Sequence, residues 1–231
     1  MKRQRIMPLF YSIGTKSVPV IGLTGLVIGA ILAIEGYQTF RNYGMENRLG
    51  GVANISVVKQ IGPVLAAVML AGRVGCALTA ELGSMRVTDQ LDAMRVMAAD
   101  PIKVLVAPRV VACILMIPIL TVASNLCGVM GSWFVTVQVY HVSTESYWKY
   151  TEDLIDWFAV FNGLVKSVFF GGAIGLIACY KGFTCRAGAQ GVGRATTEGF
   201  VMSFLAIVVM NLVLAKVLND VDSLRRVNFK L

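Results

Sequence analysis

Few side chains in this sequence are equipped for chemistry, and most of those sit where charge is costly. Lys59 and Gln60 lie just ahead of Gly62-Pro63 inside the apolar run Val52 to Leu82, and Arg73 stands near the middle of the same run. Lys166 stands inside another apolar run, Trp157 to Tyr180. An ionisable group in such a run is a functional candidate, because hydrocarbon tolerates it only beside a partner, a cavity or an ion. Lys59 is the one best placed to pair with a lipid phosphate. The competing reading is that Lys59 only snorkels to the outer interface. Arg73 and Lys166 read as contacts within a helix bundle.

Bond-making chemistry has no comparable set. His141 is the single histidine, and no Ser/His/Asp or Cys/His group is assembled around it, so no catalytic residue is expected. Cys76, Cys113, Cys127, Cys179 and Cys185 lie in or beside apolar runs without paired zinc spacing, and read as buried, reduced thiols. Cys179 and Cys185 are close enough in sequence to share a metal, but the only histidine is remote, and no metal site is expected. No G-x-x-x-x-G-K-[ST] phosphate loop occurs, so the chain is not expected to hydrolyse ATP alone and carries no cofactor of its own.

The elements that must position these groups follow from composition. The 231 residues are 56% hydrophobic and 15% charged, whereas about a quarter of a soluble domain is charged. At about 20 residues per crossing the length allows five or six spans at most. The net charge of +8 is dispersed between apolar runs, so it reads as a topology signal and implies no nucleic-acid partner. Five runs qualify: Val18 to Ile34, Val52 to Leu82, Val110 to Val139, Trp157 to Tyr180 and Phe200 to Leu218. Gly22, Gly25 and Gly29 share a face of the first, and Gly171 and Gly175 form a GxxxG face in the fourth. Either face serves packing within the chain or between copies. Gly62-Pro63 predicts a bent or broken second helix, since proline removes a backbone donor whose lost bond must be made good by protein or a water-lined cavity.

Lysine and arginine placement puts the N-terminus, the segment from Arg86 to Arg109 and the segment from Lys181 to Arg194 in the cytoplasm. The acidic loop His141 to Asp156 then faces outward, as does the tail. Lys2-Arg3-Gln4-Arg5 with Ile6 to Tyr11 reads as a retained, short interfacial segment on the anionic leaflet. The fold class is thus an all-α integral membrane protein with about five transmembrane helices, a short N-terminal interfacial segment and a cytoplasmic helix.

That last helix is carried by Thr88-Asp89-Gln90-Leu91-Asp92-Ala93-Met94, which has an N-cap-like start and apolar Leu91, Met94 and Ala98 at helical spacing. Asp100-Pro101 is expected to stop it, and Pro108-Arg109 to restart the chain at the membrane. Two readings stand: a helix lying flat on lipid, or a docking helix for a partner. At the other end of the spans, Leu32, Phe40 and Tyr43 offer apolar and amphipathic surface beside Lys59 and Gln60, a candidate lipid-binding set.

The run Glu81-Leu82-Gly83-Ser84-Met85-Arg86-Val87-Thr88-Asp89-Gln90-Leu91-Asp92-Ala93-Met94, followed by Asp100-Pro101 and Val106-Ala107-Pro108-Arg109, resembles the hallmark stretch of MlaE/YrbE-type permeases of MCE-associated ABC lipid transporters. Gly62-Pro63-Val64-Leu65-Ala66-Ala67 with Ala71-Gly72-Arg73-Val74-Gly75, and Gly191-Val192-Gly193-Arg194-Ala195-Thr196-Thr197, are similar to two further family stretches.

The resemblance implies one permease domain over 1–231: a cytoplasmic or interfacial 1–17, crossings one to three in 18–139 with a coupling helix at 86–99, a periplasmic loop at 140–156, crossings four and five in 157–218, and a tail at 219–231. It implies a multi-pass protein of the bacterial inner membrane that pairs with a second copy of itself. A cytoplasmic ATPase dimer binding ATP and Mg, a periplasmic MCE-domain protein and phospholipid are its implied partners. Glu81, Arg86, Asp89, Asp92, Met94 and Arg95 become the expected ATPase-coupling residues, with Glu81 and Arg194 bracing the cytoplasmic ends of neighbouring helices. ATP-driven closure of the ATPase is then expected to move the coupling helix and reshape a lipid cavity.

This chain departs from a common family pattern in having Lys59-Gln60 where an Arg-Glu pair stands before the apolar residue and Gly-Pro, which bears on head-group preference. Its N-terminal portion is also shorter than usual, implying an abbreviated interfacial helix. The rival classes are a carrier without an ATPase and a scaffold that anchors a periplasmic lipid-binding protein. The acids cluster at helix ends rather than at mid-membrane, which disfavours an ion-coupled carrier.

Overall fold

The computed structural model describes residue 11 and residues 13–228, with backbone only for 226–228. The basic Lys2, Arg3 and Arg5, most of the interfacial segment from Ile6, and Lys230 lie outside the described residues. Seven helices organise the rest: α1 Val18–Asn42, α2 Glu46–Val87, α3 Gln90–Val96, α4 Ile102–Val139, α5 Thr144–Leu154, α6 Trp157–Phe183 and α7 Ala189–Asn228. There is no strand among the described residues. Five helices (α1, α2, α4, α6 and α7) are long and apolar enough to cross a membrane.

All five outrun the apolar stretches that announce them. α1 continues past Ile34 through Glu35, Gln38 and Arg41, and Tyr37 in this extension stacks on Tyr140 with ring centroids 3.7 Å apart. α7 begins at Ala189, well before Phe200, and runs on through the segment expected to be a tail. Good helix formers such as Glu, Gln and Arg propagate a helix once lipid has nucleated its centre. α2 is bounded by a 3-10 turn at Glu46–Arg48 and is not broken at Gly62-Pro63. It widens instead into π-helical stretches at Val57–Ile61 and Ala71–Gly75. Lys59 and Gln60 fall in the first of these and Arg73 in the second. α4 starts at a π stretch, Ile102–Val106, ahead of Pro108, and carries Pro118 without interruption. Proline has no N–H for the carbonyl four residues back, and a wider turn ahead of it relieves that mismatch.

The chain divides into two compact units. One holds Ala67–Pro118 and Ser167–Met210; the other holds Val18–Ala66, Ile119–Lys166 and the described part of Asn211–Leu231. In the second unit α1 meets α4 backbone to backbone along the anticipated glycine face. A Cβ on Gly29 would overlap the Gly128 carbonyl oxygen and lie 2.7 Å from its carbon; one on Gly25 would lie 2.5 Å from the Ser124 oxygen. In the first unit Gly171 and Gly175 of α6 receive Cys113, Ile114 and Val110 of α4, so this GxxxG face is used within the chain. Thr79 Oγ1 of α2 donates across to the Ala178 carbonyl of α6 at 3.1 Å.

The outward loop contains a helix that hydropathy does not reveal. Ser143 caps α5, its hydroxyl accepting from the Ser146 N–H at 3.4 Å. The buried face of α5 is made by Tyr147 and Thr151, whose hydroxyls bind the buried Asn54 amide nitrogen at 2.8 and 3.0 Å. The inward stripe is therefore polar, and an apolar-period search passes over it. Burial pushes the Tyr147 phenol above its ordinary value, so it keeps its proton and donates to the Val129 carbonyl at 3.1 Å.

Candidate functional site

The polar residues of α2 that stood out in the sequence are joined, in the second unit, to residues far from them in the chain. Pro63 has no N–H to offer the Lys59 carbonyl, and Lys166 Nζ of α6 donates to that carbonyl at 3.3 Å. The same ammonium donates to Gln60 Oε1 at 2.6 Å. Lys166 is 1% exposed, and no carboxylate stands within ion-pair distance of it among the described residues. Lys59 turns elsewhere: its ammonium lies 3.8 Å from Asp222 Oδ2 on α7, in a partly exposed pair.

The surroundings of this cluster are polar and tightly packed. Asn162, one turn before Lys166 on α6, is fully buried, and neither Nδ2 nor Oδ1 has a hydrogen-bond partner among the described residues. Gly62 lets the Asn125 side chain close on α2, since a Cβ there would overlap Asn125 Oδ1. Gly163 does the same for the Val58 carbonyl, 2.5 Å from where its Cβ would be. The arrangement orients charge and hydrogen-bonding groups. It holds no nucleophile paired with a base.

Leu32 and Phe40 are half-buried on α1, and Tyr43 is 76% exposed just beyond it. No hydrogen bond or ion pair among the described residues joins Tyr43 to Lys59 or Gln60. Sequence reasoning missed Asp222 as a partner of Lys59 and Asn162 as a buried neighbour of Lys166. Asn162 had a signal, a second polar residue four positions from Lys166 in one apolar run; Asp222 had none, lying in a segment read as tail.

In the first unit the coupling candidates form a second constellation. Arg86, at the end of α2, grips Asp92 of α3 through Nη1, at 3.2 Å to Oδ1 and 3.0 Å to Oδ2, and Arg95 adds a third contact at 3.0 Å. Leu91 is fully buried, so the helix turns its central apolar residue into the protein. Asp89 precedes α3 in the left-handed region, φ 56°, and its side chain makes no capping bond. Met94 is half-buried, whereas Val96 and Met97 are 88% and 71% exposed.

The helix ends at Val96, short of the expected 99 and four residues before Asp100-Pro101. The reason is a Schellman closure in which the Ala98 N–H donates to the Arg95 carbonyl and the Ala99 N–H to that of Met94, both at 3.0 Å, with Ala98 at φ 56°. Alanine takes a position that usually advertises itself as glycine.

The expected brace between Glu81 and Arg194 is replaced by two others. Glu81 accepts from Arg109 Nη2 at 3.0 Å, and Arg194 pairs at 3.2 Å with Glu198, which also accepts from Lys181 at 2.9 Å. Helix register explains the exchange: Arg194 and Glu198 are four apart on α7 and face each other without any tertiary contact. Lys181, Arg186, Arg194 and Glu198 line a cavity of about 150 Å3. Arg109 is nearly buried while Glu81 is exposed, and Arg109 Nη1 is left without a partner among the described residues.

Comparison with known proteins places this geometry in context. The family model described as Permease MlaE matches residues 6–217. A probable ABC transporter permease of Rickettsia typhi is 38% identical over 213 residues, covering 92% of this chain and 82% of that protein. One from a Synechocystis strain is 38% identical over 215 residues, 93% of this chain and 82% of its own. The intermembrane phospholipid transport system permease protein MlaE of Haemophilus influenzae is 33% identical over 207 residues, 89% of this chain and 79% of its own.

Proposed function

This chain belongs to the MlaE permease family, and from that premise we propose that it is the membrane-spanning subunit of an ABC transporter that moves phospholipid. It is a multi-pass membrane protein, and we place it in the bacterial inner membrane as a pair of identical subunits. ATP and Mg bind in a separate cytoplasmic ATPase dimer, and a periplasmic MCE-domain protein receives or delivers the lipid. The relatives named as ABC transporter permeases and as a phospholipid transport permease support this reading.

The single observation that carries the mechanical half is the anchoring of α3. A helix lying flat on lipid would turn Leu91 to the membrane; here Leu91 is buried in the protein and Asp92 is held by Arg86 and Arg95. The exposed remainder, Val96 and Met97 beside Arg95, is a surface for a partner. A push on α3 is delivered through the two-point Arg86–Asp92 contact to α2, the helix that also carries Lys59 and Gln60. The coupling is mechanical: these residues transmit displacement and make or break no bonds.

Charge reversal tests it. Asp92→Arg puts three guanidinium groups where two now share one carboxylate. The ATPase is expected to be lost from the purified complex while the permease still elutes as a folded species. Full retention of the ATPase with normal lipid transport would contradict the assignment of α3.

A further inference from the structure

The buried cluster of the second unit carries more positive charge than it compensates. Two ammonium groups belong to it: Lys166 donates to the Lys59 carbonyl and the Gln60 amide oxygen, and Lys59 lies against Asp222, the carboxylate of the cluster among the described residues. Lys166 is satisfied as a hydrogen-bond donor, by an amide oxygen and a backbone carbonyl, but not as a charge. In a low-dielectric interior an uncompensated ammonium acts strongly on whatever anion can approach. The fully buried Asn162, with its amide donor and acceptor both unpartnered among the described residues, adds hydrogen-bonding capacity one turn away on the same face of α6.

An approach exists. Gln60 and Lys59 are half-buried rather than sealed, and because Gln60 Oε1 is taken by Lys166, the Gln60 amide keeps its NH2 as a donor to an incoming oxygen. A zwitterionic head group brings a phosphate and its own ammonium, and leaves the excess charge in place. A head group with net charge of minus one cancels it.

We propose that the Lys59–Gln60–Lys166 cluster selects phospholipids with a net negative head group over zwitterionic ones, with Lys166 supplying the excess charge from behind Gln60. This rests on the phospholipid-transport reading above and names its substrate class. The selecting group is a specificity determinant, since Gln60 and Lys59 make the contact and Lys166 acts through them.

The experiment is lipid capture by the purified full complex, equilibrated with vesicles of equal parts phosphatidylglycerol and phosphatidylethanolamine and then quantified by mass spectrometry. The wild type is expected to retain the anionic lipid in about tenfold excess over the zwitterionic one, the scale of one partly screened charge. Gln60→Glu gives Lys166 a carboxylate at hydrogen-bond distance, and Lys166→Met deletes the charge. Both are expected to bring the ratio close to the vesicle composition. The two variants reach neutrality by opposite routes, so misfolding of one leaves the other to decide. Equal retention of both lipids by wild type, or a ratio that neither variant moves, overturns the charge-selection proposal while bound phospholipid keeps the transport reading. Absence of any bound phospholipid overturns both.

Discussion

Among the described residues the most buried cation of each unit is held differently, Arg109 of the first against a carboxylate and Lys166 of the second against neutral oxygens. In the first, every ion pair among the described residues sets an arginine or lysine against a carboxylate that is at least 46% exposed, so water and salt share the field. In the second, Lys166 is buried against an amide and a carbonyl, in a region where glycines let helix backbones touch. Exposed pairs of the first kind add little stability and can be remade at small cost, which suits a surface that docks and moves. A buried cation of the second kind is held by hydrogen bonds to neutral oxygens, which on the proposed function suits a site that selects a ligand. On the proposed function, the difference separates a transmitting region from a recognising one within a single chain.

The sharpest way to break this contrast is to pry apart the second unit. Gly128→Val places a branched side chain where Gly25, Val57 and the α1 backbone already stand. It is expected to destabilise by about 3 kcal/mol or more, read as a large fall in melting temperature in detergent. A melt within a degree or two of wild type would mean that the glycine contact does not hold the unit together.

A smaller effect is expected at the one place where the first unit resembles the second. Arg109 is nearly buried and its acid is exposed, so Glu81→Gln strands a buried guanidinium, whereas Arg109→Met leaves a hydrated carboxylate. The first is expected to cost about 1–3 kcal/mol and more than the second. Equal melting shifts would place Arg109 with the exposed pairs.

The smallest concerns the end of α3. Ala98 adopts a left-handed backbone that glycine takes without strain, so Ala98→Gly is expected to stabilise the helix end by about 1 kcal/mol. Hydrogen exchange at Ala98 and Ala99 should slow. Faster exchange there would mean that the closure is not what fixes α3.

Hydropathy made the five spans legible because twenty apolar residues have few other uses, and the glycine faces were legible because close helix contact leaves no room for a Cβ. Helix ends were not, since polar residues such as Glu35 and Arg41 extend a helix without any change of period. α5 was hidden because its inward face is Tyr147 and Thr151, which bury hydroxyls rather than hydrocarbon. The importance of Lys59 and Gln60 could be read from their cost, but the partners could not: Asp222 and Lys166 are distant in sequence. Helix-end charges such as Glu81, Arg109, Arg194 and Glu198 are interchangeable on paper until register assigns them.

On the proposed function, this chain moves phospholipid only when a separate ATPase drives it. The most direct measurement is transfer of labelled phospholipid between proteoliposomes holding the purified permease–ATPase complex and acceptor carrying the periplasmic partner, with and without ATP. Transfer is expected to require ATP, and to vanish when the ATPase subunit is left out or its own nucleotide site is inactivated. Transfer at the same rate by the permease alone, or with a hydrolysis-dead ATPase, would contradict it.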